Sequence, residues 1–190
     1  MVYPNLINHI QTYVRLDEQD IQTLYRHIKF LSLNRREILL REGQICRSYY
    51  FVEKGCLRMF FLNSKGMEKT TQFALEHWWL SDYFSLSDQK PSEYTIETIE
   101  PSEILAISAQ SFEELLTEVP VLEHYFRKVM QKAVAASQLR IKLLYELSKE
   151  ELFLHFNAQF PEFVQRVPQY MLASYLGLTP EYLSEIRKKK

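Results

Sequence analysis

Apolar residues recur at helical spacing towards both ends of the chain and in short bursts between them. Leu6, Ile10 and Val14 stand four residues apart, and Ile21, Leu24, Tyr25 and Ile28 follow at three and four, so residues 1–34 read as helical. From Arg35 the texture changes. Residues 37–40, 49–52, 56–62, 70–75, 94–99 and 104–107 are short segments rich in aromatic and aliphatic side chains. Turn signals separate them: Arg41-Glu42-Gly43, Lys54-Gly55, Asn63-Ser64-Lys65-Gly66 and Glu100-Pro101-Ser102. The pattern predicts a small antiparallel sandwich or barrel rather than βαβ units.

Beyond Ser108 the helical period returns. Ser111 followed by Glu114 is a capping-box signature for a helix over 112–118, and Pro120 suits the first turn of the next. No Gly or Pro interrupts 121–147, where Phe126, Val129, Ala133, Ala136, Arg140, Leu143 and Leu147 alternate at three and four. This is a seam with one polar position, long enough for a partner helix, and it predicts a dimerisation helix. A helix packed only on its own domain would show the same pattern. Ser148 and Glu151 repeat the capping box and open a helix that ends before Pro161.

The last segment is the most specific. In 168–190, Leu172, Ala173, Leu176, Gly177, Leu178, Leu183 and Ile186 have the spacing of a helix-turn-helix. Ala173 is small enough for the second helix to cross closely, and Gly177 suits the tight turn. Thr179 is placed to cap the second helix, with Pro180 at its first position. Such a motif sets the start of its second helix in the DNA major groove. With Leu183 and Ile186 turned inward, Thr179 and Pro180 stand at its start, and Glu181, Ser184, Glu185, Arg187 and Lys188 face outward, followed by Lys189 and Lys190. Glu181 can accept from a cytosine amine, Arg187 can pair with guanine or phosphate, and the lysines suit phosphates. A generic helical hairpin, with Glu185 merely solvated, is the bland reading.

Charge sharpens this division. The chain of 190 residues carries a formal net charge of −1. From Arg166 onward, Arg166, Arg187, Lys188, Lys189 and Lys190 outweigh Glu181 and Glu185 by +3, which leaves −4 for residues 1–165. A terminal nucleic-acid-facing unit on a mildly acidic body fits, as does a solvated lysine tail.

Composition excludes much else. With 46% hydrophobic and 25% charged residues the chain is not disordered. Its four glycines are too scattered for a Walker loop or a dinucleotide fingerprint. Two cysteines, Cys46 and Cys56, cannot hold an iron–sulfur cluster or a four-cysteine zinc site, and read as free thiols in a reducing cytoplasm. The five histidines (9, 27, 77, 124 and 155) offer no i,i+4 metal pair, so no metal or cofactor is expected. No GxSxG turn supports a nucleophile, and the chain is not expected to be an enzyme. Trp78 and Trp79, adjacent on a strand, predict one ring in the core and one outside. No leader is evident at the start, and the longest uncharged stretch, 167–180, has 14 residues, too few to span a bilayer. A cytoplasmic protein without a membrane partner is expected.

Short strands, a long helix and a helix-turn-helix, in that order, resemble the Crp/Fnr family of bacterial transcription regulators. The residues that carry the likeness are Arg41-Glu42-Gly43, Tyr50-Phe51-Val52-Glu53-Lys54-Gly55 and the run from Leu176 to Arg187, the last similar to a variant common in Bacteroidetes-type regulators. The resemblance implies an α+β chain. An antiparallel jelly-roll barrel of the cyclic-nucleotide-binding type with N-terminal helices would occupy 1–119. A dimerisation helix over 120–147 and a DNA-binding unit over 148–190 would follow. It further implies a homodimer that contacts DNA, with RNA polymerase as a candidate partner.

The resemblance also implies an effector cassette: Gly-Glu, then Arg-Ser or Arg-Thr about ten residues on, for ribose and cyclic phosphate. The register puts Ser81-Asp82 and Ser92-Glu93 there, and no arginine lies between Arg58 and Arg127. Glu93 repels a phosphate, and Lys90 is a weaker point-charge substitute for a bidentate arginine. A cyclic nucleotide is therefore not expected; another small-molecule effector, or a purely structural barrel, is. The reading is a sequence-specific, dimeric transcription regulator. Its alternative is a small-ligand-binding or protein-interaction module whose helix-turn-helix no longer binds DNA. Glu181, Glu185 and the lack of sequence for a β-wing after Lys190 favour that alternative.

Overall fold

Alternation along the strands builds the body of the protein. On β3 (Ser48–Lys54), β4 (Leu57–Leu62) and β8 (Ser102–Ser108), the side chains of Tyr50, Val52, Leu57, Met59, Ile104 and Ala106 turn into one shared core. Two four-stranded antiparallel sheets enclose it. The first runs β1 (Lys29–Leu33), β8, β3, β6 (Trp79–Leu80); the second runs β2 (Ile38–Leu40), β7 (Thr95–Thr98), β4, β5 (Glu68–Ala74). The expected barrel is thus a jelly-roll of two facing sheets without a closed ladder. The structure, a computed structural model, describes residues 3–188.

The opposite face of the first sheet is buried too. Phe51, Leu105 and Ile107 point away from the jelly-roll core into a second cluster, with Leu6 and Ile10 of α1 (Pro4–Gln11) and Leu24 of α2 (Glu18–His27). Leu115 of α4 (Ala109–Glu118) and Leu122, Tyr125 and Phe126 of α5 (Val121–Glu146) complete it. The Tyr125 hydroxyl accepts from Trp79 Nε1 at 2.8 Å and pairs with His9 Nδ1 at 2.9 Å, tying β6, α5 and α1 together. Burial first, then His77 and Lys132, holds the His9 imidazole down to about 4, so it is neutral there. Trp78 is exposed while Trp79 is packed.

Three local expectations change. Residues 29–33 are an edge strand paired with β8, not helix. Lys29-Phe30-Leu31-Ser32-Leu33 directly follows α2 with no Gly or Pro to mark the switch of period. The cap of α4 is Ser108, whose hydroxyl accepts from Ser111 N at 3.0 Å, and not Ser111. Residues 83–88, to which no helix was assigned, form α3 (Tyr83–Asp88).

Behind α5 come α6 (Lys149–Gln159), with the Ser148/Glu151 box formed in both directions, α7 (Pro161–Arg166), α8 (Gln169–Leu176) and α9 (Pro180–Lys188). Their cluster includes Cys56, Phe73 and Ile99 of the jelly-roll, so the C-terminal unit is docked on the outer face of the second sheet.

Gly55 connects β3 to β4 at φ +100, and a Cβ there would sit 2.7 Å from Ser102 Cα. Gly55→Ala is expected to destabilise the chain by roughly 2–5 kcal/mol in urea titration, strain and overpacking acting together. Gly43→Ala, which meets no atom within 4 Å, should cost only ~1 kcal/mol. Equal losses at the two positions would refute the close-approach argument.

Candidate nucleic-acid interface and effector cassette

The helix-turn-helix forms as the side chains require. Leu172, Ala173, Leu176, Leu178, Leu183 and Ile186 are all buried between α8 and α9. Gly177 closes α8 in the left-handed conformation at φ +70, and Leu178 N donates to Ala173 O at 2.8 Å. Thr179 Oγ1 accepts from Tyr182 N at 3.2 Å and so caps α9, with Pro180 at its first position. Glu181, Glu185, Arg187 and Lys188 are exposed along α9 and Ser184 is half-buried. Lys189 and Lys190 lie outside the described residues. The outward face of α9 is therefore uncovered, with acids in its first turns and bases in its last.

Two arginines hold this unit on the jelly-roll. Arg166, at the end of α7, donates through Nε to Glu100 at 2.8 Å, through Nη1 to Glu76 at 3.0 Å and through Nη2 to Gly55 O at 3.0 Å. Burial pushes the Glu76 carboxyl up, but the bonds from Arg166 and the Gly55 amide outweigh it and leave it below the usual range. Arg140 donates to Thr71 O on β5 and, at 2.9 Å, to Tyr175 O on α8, with its guanidinium 4.0 Å from the Tyr175 ring centroid. Neither role was assigned from sequence. Arg140 was visible only as the polar interruption of an apolar seam.

That seam lies otherwise than expected. Phe126 is buried and Val129 packs beside it in the cluster behind the first sheet; Leu143 packs on the C-terminal unit. These three contacts are within the chain, while Ala133 and Ala136 are exposed. Along the middle and end of α5, Val134, Leu139, Ile141, Leu144 and Tyr145 are uncovered apolar side chains. The two ends of the seam turn inward because α5 is clamped at both ends by its own chain.

The cassette residues come together but bond to one another. Asp82 caps α3: Oδ1 accepts from Phe84 N and Ser85 N, each at 3.1 Å, and Oδ2 accepts from Ser92 Oγ at 2.6 Å. Ser81, Asp82 and Ser92 are buried, and Ser81 Oγ donates to Ser48 O at 3.0 Å. Glu93 is exposed, and Lys90 pairs with Asp88 at 3.1 Å. Cys46 and Cys56 are free and buried, and burial raises both thiols. Among the described residues no three His, Cys, Asp or Glu gather as a metal site, and no helix is long and apolar enough to cross a membrane.

Comparison with known proteins agrees with this architecture. Residues 30–119 match the cyclic nucleotide-binding domain family. The chain is 25% identical over 167 residues to the transcriptional activator protein Anr of Pseudomonas protegens, covering 81% of this chain and 67% of that one. It is 25% identical over 185 residues to the transcriptional activator protein FnrA of Stutzerimonas stutzeri, covering 90% and 74%. Its fold is similar to that of the c-di-GMP responsive global regulator CLP of Xanthomonas campestris, with a TM-score of 0.74, 15% identity and 91% of each chain covered. None of the three bears on the narrower Bacteroidetes-type likeness. Residues 30–119 thus resemble a cyclic nucleotide-binding domain, and with a helix-turn-helix behind it and transcriptional activators among its relatives, the chain is similar to regulators of the Crp/Fnr type.

Proposed function

We propose that the protein is a sequence-specific DNA-binding transcription regulator that acts as a homodimer in the bacterial cytoplasm, with RNA polymerase as a further partner. The observation that carries this reading is α9: Leu183 and Ile186 are buried, and the face bearing Glu181, Ser184, Glu185, Arg187 and Lys188 is open to a groove. Glu181 and Glu185 near phosphates cost affinity unless they accept from base amines, so in this reading they contact bases and not phosphates. In this reading the sensor extends through 119, the long helix spans 120–147 and the DNA-binding unit begins at 148.

Gel shift against DNA from upstream of its own gene is expected to show binding that weakens steeply as salt rises. Arg187→Ala is expected to cost about 1–3 kcal/mol of that binding, and Lys188→Ala to lower the salt slope by about one. Binding indifferent to salt, or none, would leave the alternative of a ligand or protein-interaction module with a silent helix-turn-helix.

The dimer face is the exposed stripe of α5. Met130, Val134, Ser137, Ile141 and Leu144 alternate at four and three, the spacing a partner helix meets, one register away from Phe126, Val129 and Leu143. Sedimentation is expected to give a dimer, and Leu144→Glu a folded monomer. A monomeric wild type would remove the stripe from consideration.

The effector cassette does not serve a cyclic nucleotide in this reading. Both Asp82 oxygens are engaged and the cassette run itself carries no arginine. Calorimetry with cyclic AMP is expected to give no saturable heat. Micromolar binding would show that a backbone site or Lys90 replaces the arginine.

A further inference from the structure

On the outer side of the first sheet, beside the start of α3, rings line a crevice of about 320 Å³. Tyr49 stacks on Phe112 at 4.2 Å between centroids, Phe112 meets Phe126 at 4.5 Å, and Phe126 meets Trp79 at 5.2 Å. Tyr83 of α3 forms a further wall, and Met130 of α5 another. The volume corresponds to about ten water molecules at the liquid share of each. That suits one aromatic ring with a short polar arm.

Two opposite charges border the crevice. Glu123 and Arg127 both line it, one turn apart on α5. Residues so spaced commonly pair with each other, yet here they do not. Arg127 Nη2 donates to His124 Nδ1 at 3.0 Å, and among the described residues the Glu123 carboxylate makes no ion pair. A hydrocarbon would use neither charge, and an aromatic acid would leave Glu123 against its carboxylate. A ligand bearing both an ammonium and a carboxylate satisfies both.

We propose that this crevice binds a free aromatic amino acid, its ring among Tyr49, Trp79, Phe112 and Phe126, its carboxylate on Arg127 and its ammonium on Glu123. That the ligand is an effector rests on the regulator reading; that it binds does not. The crevice is suited to that role because Met130, one of its walls, begins the exposed stripe of α5. A ring lodged there presses on the helix that carries the dimer face and, through Arg140, touches the DNA-binding unit.

The test is calorimetry on the full chain with L-tryptophan and L-phenylalanine. Saturable binding is expected, one ligand per chain. Indole-3-propionate, which lacks the ammonium, and tryptamine, which lacks the carboxylate, should each bind at least about tenfold more weakly, as loss of a charge-assisted bond implies. Arg127→Gln should weaken tryptophan about tenfold and leave tryptamine unchanged, and Glu123→Gln should spare indole-3-propionate. Both positions are exposed, so thermal unfolding should match the wild type. Absence of binding at millimolar ligand, or binding indifferent to both substitutions, overturns the proposal. So does binding seen only in Leu144→Glu, which would make the crevice a seat for the partner chain. DNA binding that persists without amino-acid binding removes the crevice alone. Amino-acid binding without DNA binding supports the crevice and removes the regulator.

Discussion

Everything that distinguishes this chain from a free-standing jelly-roll depends on one contact, the docking of the helix-turn-helix unit on β5. Phe73 of β5 meets Phe163 at 5.0 Å and Tyr175 at 5.2 Å, and Thr70 N donates to Ser174 Oγ, which in turn donates to Glu68 O. Burial of rings such as Phe73 and Phe163 is worth about 1.5–3 kcal/mol each. The Arg166 pairs with Glu76 and Glu100 are about a third exposed and are worth roughly 0–1 kcal/mol apiece. The apolar contact supplies the attraction. The arginines fix its orientation, since a guanidinium fork tolerates only one arrangement of its carboxylates and the Gly55 carbonyl.

Arg140 gives that contact a mechanical partner. Its side chain leaves α5 and ends on a carbonyl of β5 and a carbonyl near the C-terminus of α8, where the helix dipole favours a cation. A shift of α5 relative to the second sheet cannot leave α8 in place without breaking one of these bonds. At its other end α5 is anchored by Tyr125 and Phe126 in the cluster behind the first sheet. The long helix thus touches both faces of the sensor and the base of the DNA-binding unit, which suits it to carry a change in any one to the others.

What the sequence revealed follows the range of the interactions involved. The helix-turn-helix was legible residue by residue because Ala173, Gly177, Thr179 and Leu183 constrain each other within a dozen positions. The jelly-roll strands were legible by composition and by the turns at Gly43, Gly55 and Gly66. Edge strand β1 was not, because its apolar run follows a helix of similar texture and its pairing with β8 spans most of the domain. Ser108 and Ser111 offered overlapping cap signatures, and only the end of β8 decides between them. The packing of the two ends of the α5 seam was not legible for a related reason. That helix carries apolar residues on two faces, and which one meets the chain's own body depends on Phe73, Tyr175 and Phe51, none of which lies near it in sequence.

The cassette shows how a position can be kept while its chemistry changes. The resemblance puts Asp82 at the ribose position of the cassette; in this structure it caps α3 and holds Ser92, ten residues away, so the loop satisfies its own polar groups. Gln89 completes the loop in the left-handed region at φ +53, a conformation that costs a non-glycine residue about 1 kcal/mol. Its Nε2 donates to Leu86 O, and Ser85 Oγ donates to Lys90 O, bonds that offset the strain. Adjacent residues of β3 then face different environments: Tyr50 points inward and donates to Leu39 O, while Tyr49 points outward onto Phe112. The outer face joins an unfilled volume to direct contact with α5, so a ligand held there, as proposed, would press on that helix.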